Sequence, residues 1–222
     1  MMFVYLDPLI ILTMSSRYKT MFRGVEWGMC YYKERPWNKV YVDCDSLIFK
    51  YMLDYVSSKL VVGSRLKGMN SYDTGSAMRH VLKAVAVYSE KRLETALKRL
   101  DKNHIEHTIV FGSGNIGGKE DQMRKYAERR RKSFKSIERL KGLYADSGLL
   151  KTSITKYILS ERDEVRNMVM AMVRRTIDPK ININTEPDIA CPKECPNIMS
   201  YDYDLFLSGA RCLIKERGHE DV

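Results

Sequence analysis

Short runs of β-forming residues that end in acids, alternating with long amphipathic stretches, constrain this chain more than any other feature. Lys39-Val40-Tyr41-Val42-Asp43 is such a run, closing on a carboxylate. Leu47, Ile48, Tyr51, Met52, Tyr55 and Val56 follow at the spacing of one helix face. Residues 63–76 carry Gly63, Gly68, Asn70, Asp73 and Gly75 and read as a loop. A long helix is predicted from Ser76 to Lys102, with Val81, Leu82, Val85, Tyr88, Leu93, Leu97 and Leu100 on one side. His107 to Phe111 is a second strand, running straight into the glycine-rich segment 112–118. A further helical stretch covers about 149–176 and ends before Asp178-Pro179. Pro196 to Tyr201 is a third strand, followed by Asp202-Tyr203-Asp204. Parallel strands need long crossovers, usually helical, so the pattern predicts an α/β fold: a mostly parallel central sheet flanked by helices.

A length of 222 residues suits one good-sized domain or at most two small ones, and the alternation of strands and helices favours one. Lys and Arg number 38 against 28 Asp and Glu, a net charge of +10 that favours a polyanionic partner, nucleic acid or an acidic membrane surface, over a basic or neutral one. The surplus is concentrated: residues 119–141 hold ten Lys or Arg against four acids. Five cysteines, Cys30, Cys44, Cys191, Cys195 and Cys212, have no regular spacing and read as thiols of a reducing compartment rather than a disulfide framework. Cys191 and Cys195 with Cys212 and His219 are the only set near zinc spacing, and structural thiols are the plainer reading. Met1 to Met14 is apolar but interrupted by Asp7-Pro8 and shorter than the ~20 residues of a bilayer span. It reads as a core-packing segment, and no transmembrane helix is expected. The segment 112–118 lacks the Gly-Lys-Ser/Thr ending of a nucleotide-binding loop.

Ligands of parallel α/β sheets bind beyond the carboxyl ends of the strands. Asp43 closes the first strand, with Asp45 two residues on; Asp202 and Asp204 close the last and share a face if the segment is extended. Glu186 and Asp188 precede an apolar stretch. Carboxylates brought together there repel one another unless cations bind, and an all-oxygen set suits Mg²⁺ or Mn²⁺. Two such ions about 4 Å apart activate a water and stabilise the leaving oxygen of a phosphodiester. Each acid also has a plain structural reading. Asp43 is placed to cap the helix that follows, Asp202 and Asp204 to serve a turn, and Glu186 and Asp188 to favour a helix N-terminus. Glu128 and Lys132 form an ordinary i,i+4 pair on a solvated helix, yet ten basic residues against four acids exceed balanced pairing.

Four blocks in order resemble the flap-endonuclease/XPG superfamily of PIN-like 5′ nucleases, across roughly residues 39–210. Val40-Tyr41-Val42-Asp43 with Ser46-Leu47-Ile48 is similar to its first metal-binding strand. His107 to Phe111, then Lys119, then Ala127-Glu128-Arg129-Arg130-Arg131 resembles its second block. Glu186-Pro187-Asp188-Ile189-Ala190-Cys191 resembles the Glu-Ala-Glu-Ala motif. Ser200 to Gly209 is similar to the Glu-Asp-x-Asp-x-Leu-x-x-Gly signature.

The resemblance implies a single nuclease-like domain over residues 1–222. Its N-terminal region would span about 1–148, a shortened internal region 149–222, and a basic arch-like segment about 119–176. It implies Asp43, Glu186, Asp188, Asp202 and Asp204 as ligands of two Mg²⁺ or Mn²⁺ ions, with Asp43, Asp202 and Lys119 in the catalytic set. Lys119 would stabilise charge on the scissile phosphate. Lys119, Arg124, Lys125, Arg129, Arg130 and Arg131, beside Tyr126, Phe134 and Tyr144, would contact a single strand. The implied activity is structure-specific 5′ cleavage of DNA at junctions of single and double strands, in replication, repair or recombination. Replication or repair proteins would be its partners, with RNA not excluded as substrate. The implied setting is the nucleus or a site of viral DNA replication, since shortened members occur in large DNA viruses.

The chain departs from the pattern at Gly112, where the family has its second aspartate; Asp45 and Asp121 are the acids placed to compensate. Tyr126 stands at the arch's basic position, Pro192 interrupts the stretch after Asp188, and the family's late aspartate and helix-two-turn-helix region have no counterpart after Gly209. These departures motivate an alternative: a catalytically degenerate, nuclease-derived nucleic-acid-binding protein. A basic structural protein is the third reading.

Overall fold

The computed structural model describes residues 38–60, 74–112, 120–140, 148–176, 181–182, 197–202, 205 and 212–214. The segments 1–14 and 113–118, and the residues Tyr144, Cys191 and Cys195, lie outside them. The chain divides into two compact units. The first comprises Met1–Leu47, Thr95–Ser113 and Pro179–Val222; the second comprises Ile48–Glu94 and Gly114–Asp178.

Unit one is built on a sheet in the order β3-β2-β1-β4-β5, every pair parallel. Strand β1 is Lys39–Asp43, β2 Glu106–Val110, β3 Ile181–Asn182, β4 Asn197–Met199 and β5 Cys212–Ile214. β1 is buried from Val40 to Asp43, as a central parallel strand covered on both faces must be. The parallel sheet with helices agrees with the α/β expectation. β3 and β5 are too short to leave a sequence signal and were not anticipated.

Helix α1, Cys44–Asp54, starts directly on β1 and continues as a π-type turn over Tyr55–Lys59. Its first turn is closed by Asp43, whose Oδ1 accepts the Ser46 amide at 3.2 Å. All six apolar positions expected on its face are buried. Helix α2, Thr74–Lys102, begins two residues before the expected Ser76, so the predicted loop ends earlier. It stops in a Schellman motif: His104 donates to the Asp101 carbonyl at 2.9 Å and Ile105 to the Leu100 carbonyl at 3.0 Å. His104 holds the left-handed conformation, φ 55, that a glycine usually supplies there. Buried Leu100 and Ile105 complete the motif and aim the chain into β2.

In unit two, helix α3 spans Glu120–Leu140, α4 Gly148–Ser160 and α5 Arg162–Thr176. The single helix expected over 149–176 is therefore two. The Ser160 hydroxyl donates to the Tyr157 carbonyl at 2.7 Å, and the Glu161 amide reaches back only to Ile158, at 3.0 Å. That tightened turn ends α4 without proline or glycine, so periodicity alone merges it with α5. Asp163 and Glu164 then sit in the first turn of α5, where the helix dipole favours them. Val165, Val169 and Val173 form its buried stripe, while Met168, Met170 and Met172 are only half-buried. No helix among the described residues is long and apolar enough to cross a membrane.

Candidate functional site

The strand order makes β1 and β4 the topological switch point of unit one. From β1 the chain crosses to β2 on one side, while β4 lies on the other with β5 beyond it. A crevice opens outside the carboxyl ends of two strands whose connections diverge in this way, and ligands of open parallel sheets bind there. Asp43 is the last residue of β1, and Ser200, Tyr201 and Asp202 follow β4.

Asp43 is 3% exposed, and both its oxygens are engaged. Oδ1 caps α1 through the Ser46 amide, and Oδ2 accepts the Ser200 hydroxyl at 2.8 Å. Ser200, wholly buried, also accepts the Asp202 amide at 2.9 Å. The Ser46 hydroxyl in turn accepts the Tyr201 amide at 2.8 Å. Two serines thus tie the ends of β1 and β4 together, each filled by a backbone N–H from the chain after β4. With its acceptor side occupied, the Ser200 hydroxyl has its proton directed at Asp43.

These donors favour the charged form of Asp43, but burial outweighs them. Loss of solvation, with Asp45 and Asp202 as neighbouring negative charges, pushes the Asp43 carboxyl up to about 7. A cap alone accounts for Oδ1. It does not account for an acid held dry beside two others.

Asp45 lies in the first turn of α1, and its Oδ2 accepts the Gly112 amide at 3.3 Å. At the end of β2, where the resemblance calls for a carboxylate, the chain presents an amide to Asp45 instead. Asp121, the other acid placed to compensate, is on α3 in unit two, largely exposed and paired with Arg124 at 3.0 Å.

Of the expected ligands, Asp43 and Asp202 are described, the latter exposed; Glu186, Asp188 and Asp204 lie outside the described residues, as does Lys119. Among the described residues no group of three or more His, Cys, Asp or Glu side chains is gathered closely enough to hold a metal ion. The donors at the switch point are all oxygen, from Asp43, Asp45, Asp202 and Ser200, and that chemistry suits a hard divalent cation.

The basic residues gather on α3. Among its described side chains only Ser133, Ile137 and Leu140 are buried, all in the second half of the helix. From Asp121 to Lys132 the described side chains are exposed, with Tyr126 alone half-covered. Arg124, Lys125, Arg129 and Arg131 are on this exposed stretch. Lys132 is bonded to Glu128 at 2.7 Å and holds that carboxyl below its usual range. Arg130 differs from its neighbours: its Nη1 lies 3.0 Å from Oε2 of Glu161, whose side chain is 14% exposed. The sequence grouped Arg130 with Arg129 and Arg131 as strand contacts; the fold pairs it with Glu161.

Sequence reasoning also missed Ser46, Ser200, Glu161 and Arg162. Ser46 stands at capping spacing from Asp43, and Ser200 two residues before Asp202 on an extended segment, so both left a local signal. Glu161 and Arg162 left none, because the contacts that join them to α3 and α1 are distant in sequence. Comparison with protein-family models, with curated proteins and with solved structures gives no match.

Proposed function

We propose that this chain is a Mg²⁺-dependent, structure-specific 5′ nuclease of the flap-endonuclease/XPG class, with a PIN-like core, acting on DNA at junctions of single and double strands. The observation that carries the reading is Asp43: a buried carboxyl at the switch point of a parallel sheet, raised to about 7 by burial and by Asp45 and Asp202. Acids whose charges raise a buried carboxyl where ligands bind are acids that a bound cation would neutralise.

In this reading Asp43 and Asp202, with Glu186, Asp188 and Asp204, hold the ions. Bound Mg²⁺ supplies water activation and neutralises charge on the phosphodiester. The chain's own contribution is to orient the acids. Ser200 and the Ser46 amide fix the Asp43 carboxylate, and the Ser200 and Ser46 hydroxyls fix the backbone that carries Asp202. Lys119 stabilises charge on the phosphate, and the exposed cations of α3 receive a single strand.

A second reading has its own observation. Gly112 offers an amide where a catalytic acid would stand, and Asp43 also serves as a helix cap. A binding protein that has lost catalysis would keep both features.

Cleavage of a labelled 5′-flap DNA in Mg²⁺ and in Mn²⁺ tests the two. Cutting by the parent and not by Asp43→Ala or Asp202→Ala, with all three folded by circular dichroism, is expected for the nuclease. No cutting by folded parent that still binds the flap would overturn catalysis and leave the binding protein.

A further inference from the structure

Glu161 is the turn residue between α4 and α5, Arg162 is the first residue of α5, and both reach α3. Glu161 takes the Arg130 guanidinium at 3.0 Å. It also bonds the Tyr157 hydroxyl, which burial and the Glu161 charge push up to about 12. The Tyr157 ring in turn lies 5.9 Å from that of Phe134, one helical turn beyond Arg130 on α3. Arg162 stands over two rings at once, 5.9 Å from the centre of Tyr126 on α3 and 5.8 Å from that of Phe49 on α1.

These links fall on the half of α3 whose described side chains are mostly exposed. Among its described side chains burial begins only at Ser133 and Ile137, and its first three turns show the exposed, charged surface of a helix that water alone does not hold in place. Local pairs such as Asp121 with Arg124 and Glu128 with Lys132 support helicity but fix no orientation.

We infer that Glu161 and Arg162 are positioning residues: they clamp the first half of α3, through Arg130 and Tyr126, so that Arg124, Lys125, Arg129 and Arg131 meet a single-stranded polyanion as a fixed array. The inference rests on the nucleic-acid reading of α3. Its physical basis is that cations already ordered lose little freedom on binding, whereas a frayed helix must be ordered by the ligand.

Two forces give opposite signs in Glu161→Gln. Removing the carboxylate raises the net charge by one and frees Arg130, so Coulomb attraction alone predicts tighter binding and a salt slope steeper by roughly 0.7. The clamp predicts weaker binding despite the added charge. Tyr126→Ala removes the ring under Arg162 and leaves every charge, while Tyr126→Phe keeps the ring.

Hydrogen exchange by mass spectrometry on the free protein and binding of labelled oligothymidylate are measured together. Glu161→Gln and Tyr126→Ala are expected to speed amide exchange over residues 120–132 by about fivefold, the worth of a single cation–π or exposed ion pair. Exchange in the sheet stays unchanged, and affinity falls by a similar factor. Tyr126→Phe, which keeps the ring, is expected to change both less than Tyr126→Ala does. Unchanged exchange over 120–132 in both disrupting variants overturns the clamp, and so does tighter binding by Glu161→Gln. Failure of the parent itself to bind oligothymidylate at low salt removes the nucleic-acid reading instead, and the exchange result still decides whether the two residues hold the helix.

Discussion

The Ser200 hydroxyl donates to Oδ2 of Asp43 at 2.8 Å, joining residues 157 positions apart across the switch point of the sheet. The same hydroxyl oxygen receives the Asp202 amide, so one side chain sets both the Asp43 carboxyl and the backbone that carries the second acid. Asp43 is the last residue of β1 and the cap of α1, so its position was bound to be rigid. Its orientation is set by Ser200.

Ser200→Ala should therefore destabilise the protein by roughly 1–3 kcal/mol at pH 8, the cost of leaving a buried charged acceptor unsatisfied. The loss should be smaller at pH 4, where Asp43 keeps its own proton. Ser200→Thr, which retains the hydroxyl, should recover most of it. Urea unfolding at the two pH values measures this; equal losses at both would show that Ser200 acts by packing alone.

Asp43 makes stability fall as pH rises. Its folded pKa, about 7, lies above the ordinary value of 3.8. Below the lower value both states hold the proton and the group costs nothing. Between the two the unfolded chain releases its proton first, and stability declines until the folded carboxyl has also ionised. The full loss is on the order of 4 kcal/mol. Asp43→Asn should thus be more stable than the parent at pH 8, with the gap shrinking toward zero as pH falls below the ordinary value of 3.8. Mg²⁺ should narrow the gap at pH 8 by stabilising only the parent. Parallel melting of the two proteins across this range would contradict the assignment.

The three consecutive arginines of α3, Arg129, Arg130 and Arg131, should separate. Arg130→Ala breaks the pair with Glu161 and should cost up to about 1 kcal/mol of stability. Arg129→Ala and Arg131→Ala are expected to melt like the parent. On oligonucleotide binding the order reverses: loss of Arg129 or Arg131 lowers the salt slope by about 0.7 each, the single-strand value for one phosphate contact. A similar slope change for Arg130→Ala with no change in melting would place Arg130 among the free cations after all.

His104→Gly is expected to be stabilising or neutral. The residue sits at φ 55, where a side chain is strained and glycine is not, but glycine adds freedom to the unfolded chain. The net gain is about 0.5 kcal/mol if strain wins. His104→Val, branched at Cβ, should lose about 1 kcal/mol or more by the same measure. If valine is tolerated, α2 does not end in the Schellman turn.

What the sequence determined by itself was local. β1, the capped helix after it and the long α2 follow from alternation and from apolar spacing, because each is decided by residues within a turn or two of one another. The acids at two strand ends were legible for the same reason. Tertiary structure decided the rest. Only the strand order sets β1 beside β4 and brings Ser200 to Asp43. Only the crossing from α1 to the end of β2 gives Asp45 the amide of Gly112. Only the packing of α3 against the α4–α5 turn withdraws Arg130 from its neighbours while leaving Arg129 and Arg131 in water. Propensity acts between neighbours along the chain, whereas burial, pairing and the carboxyl's raised pKa depend on residues that meet only when the chain folds.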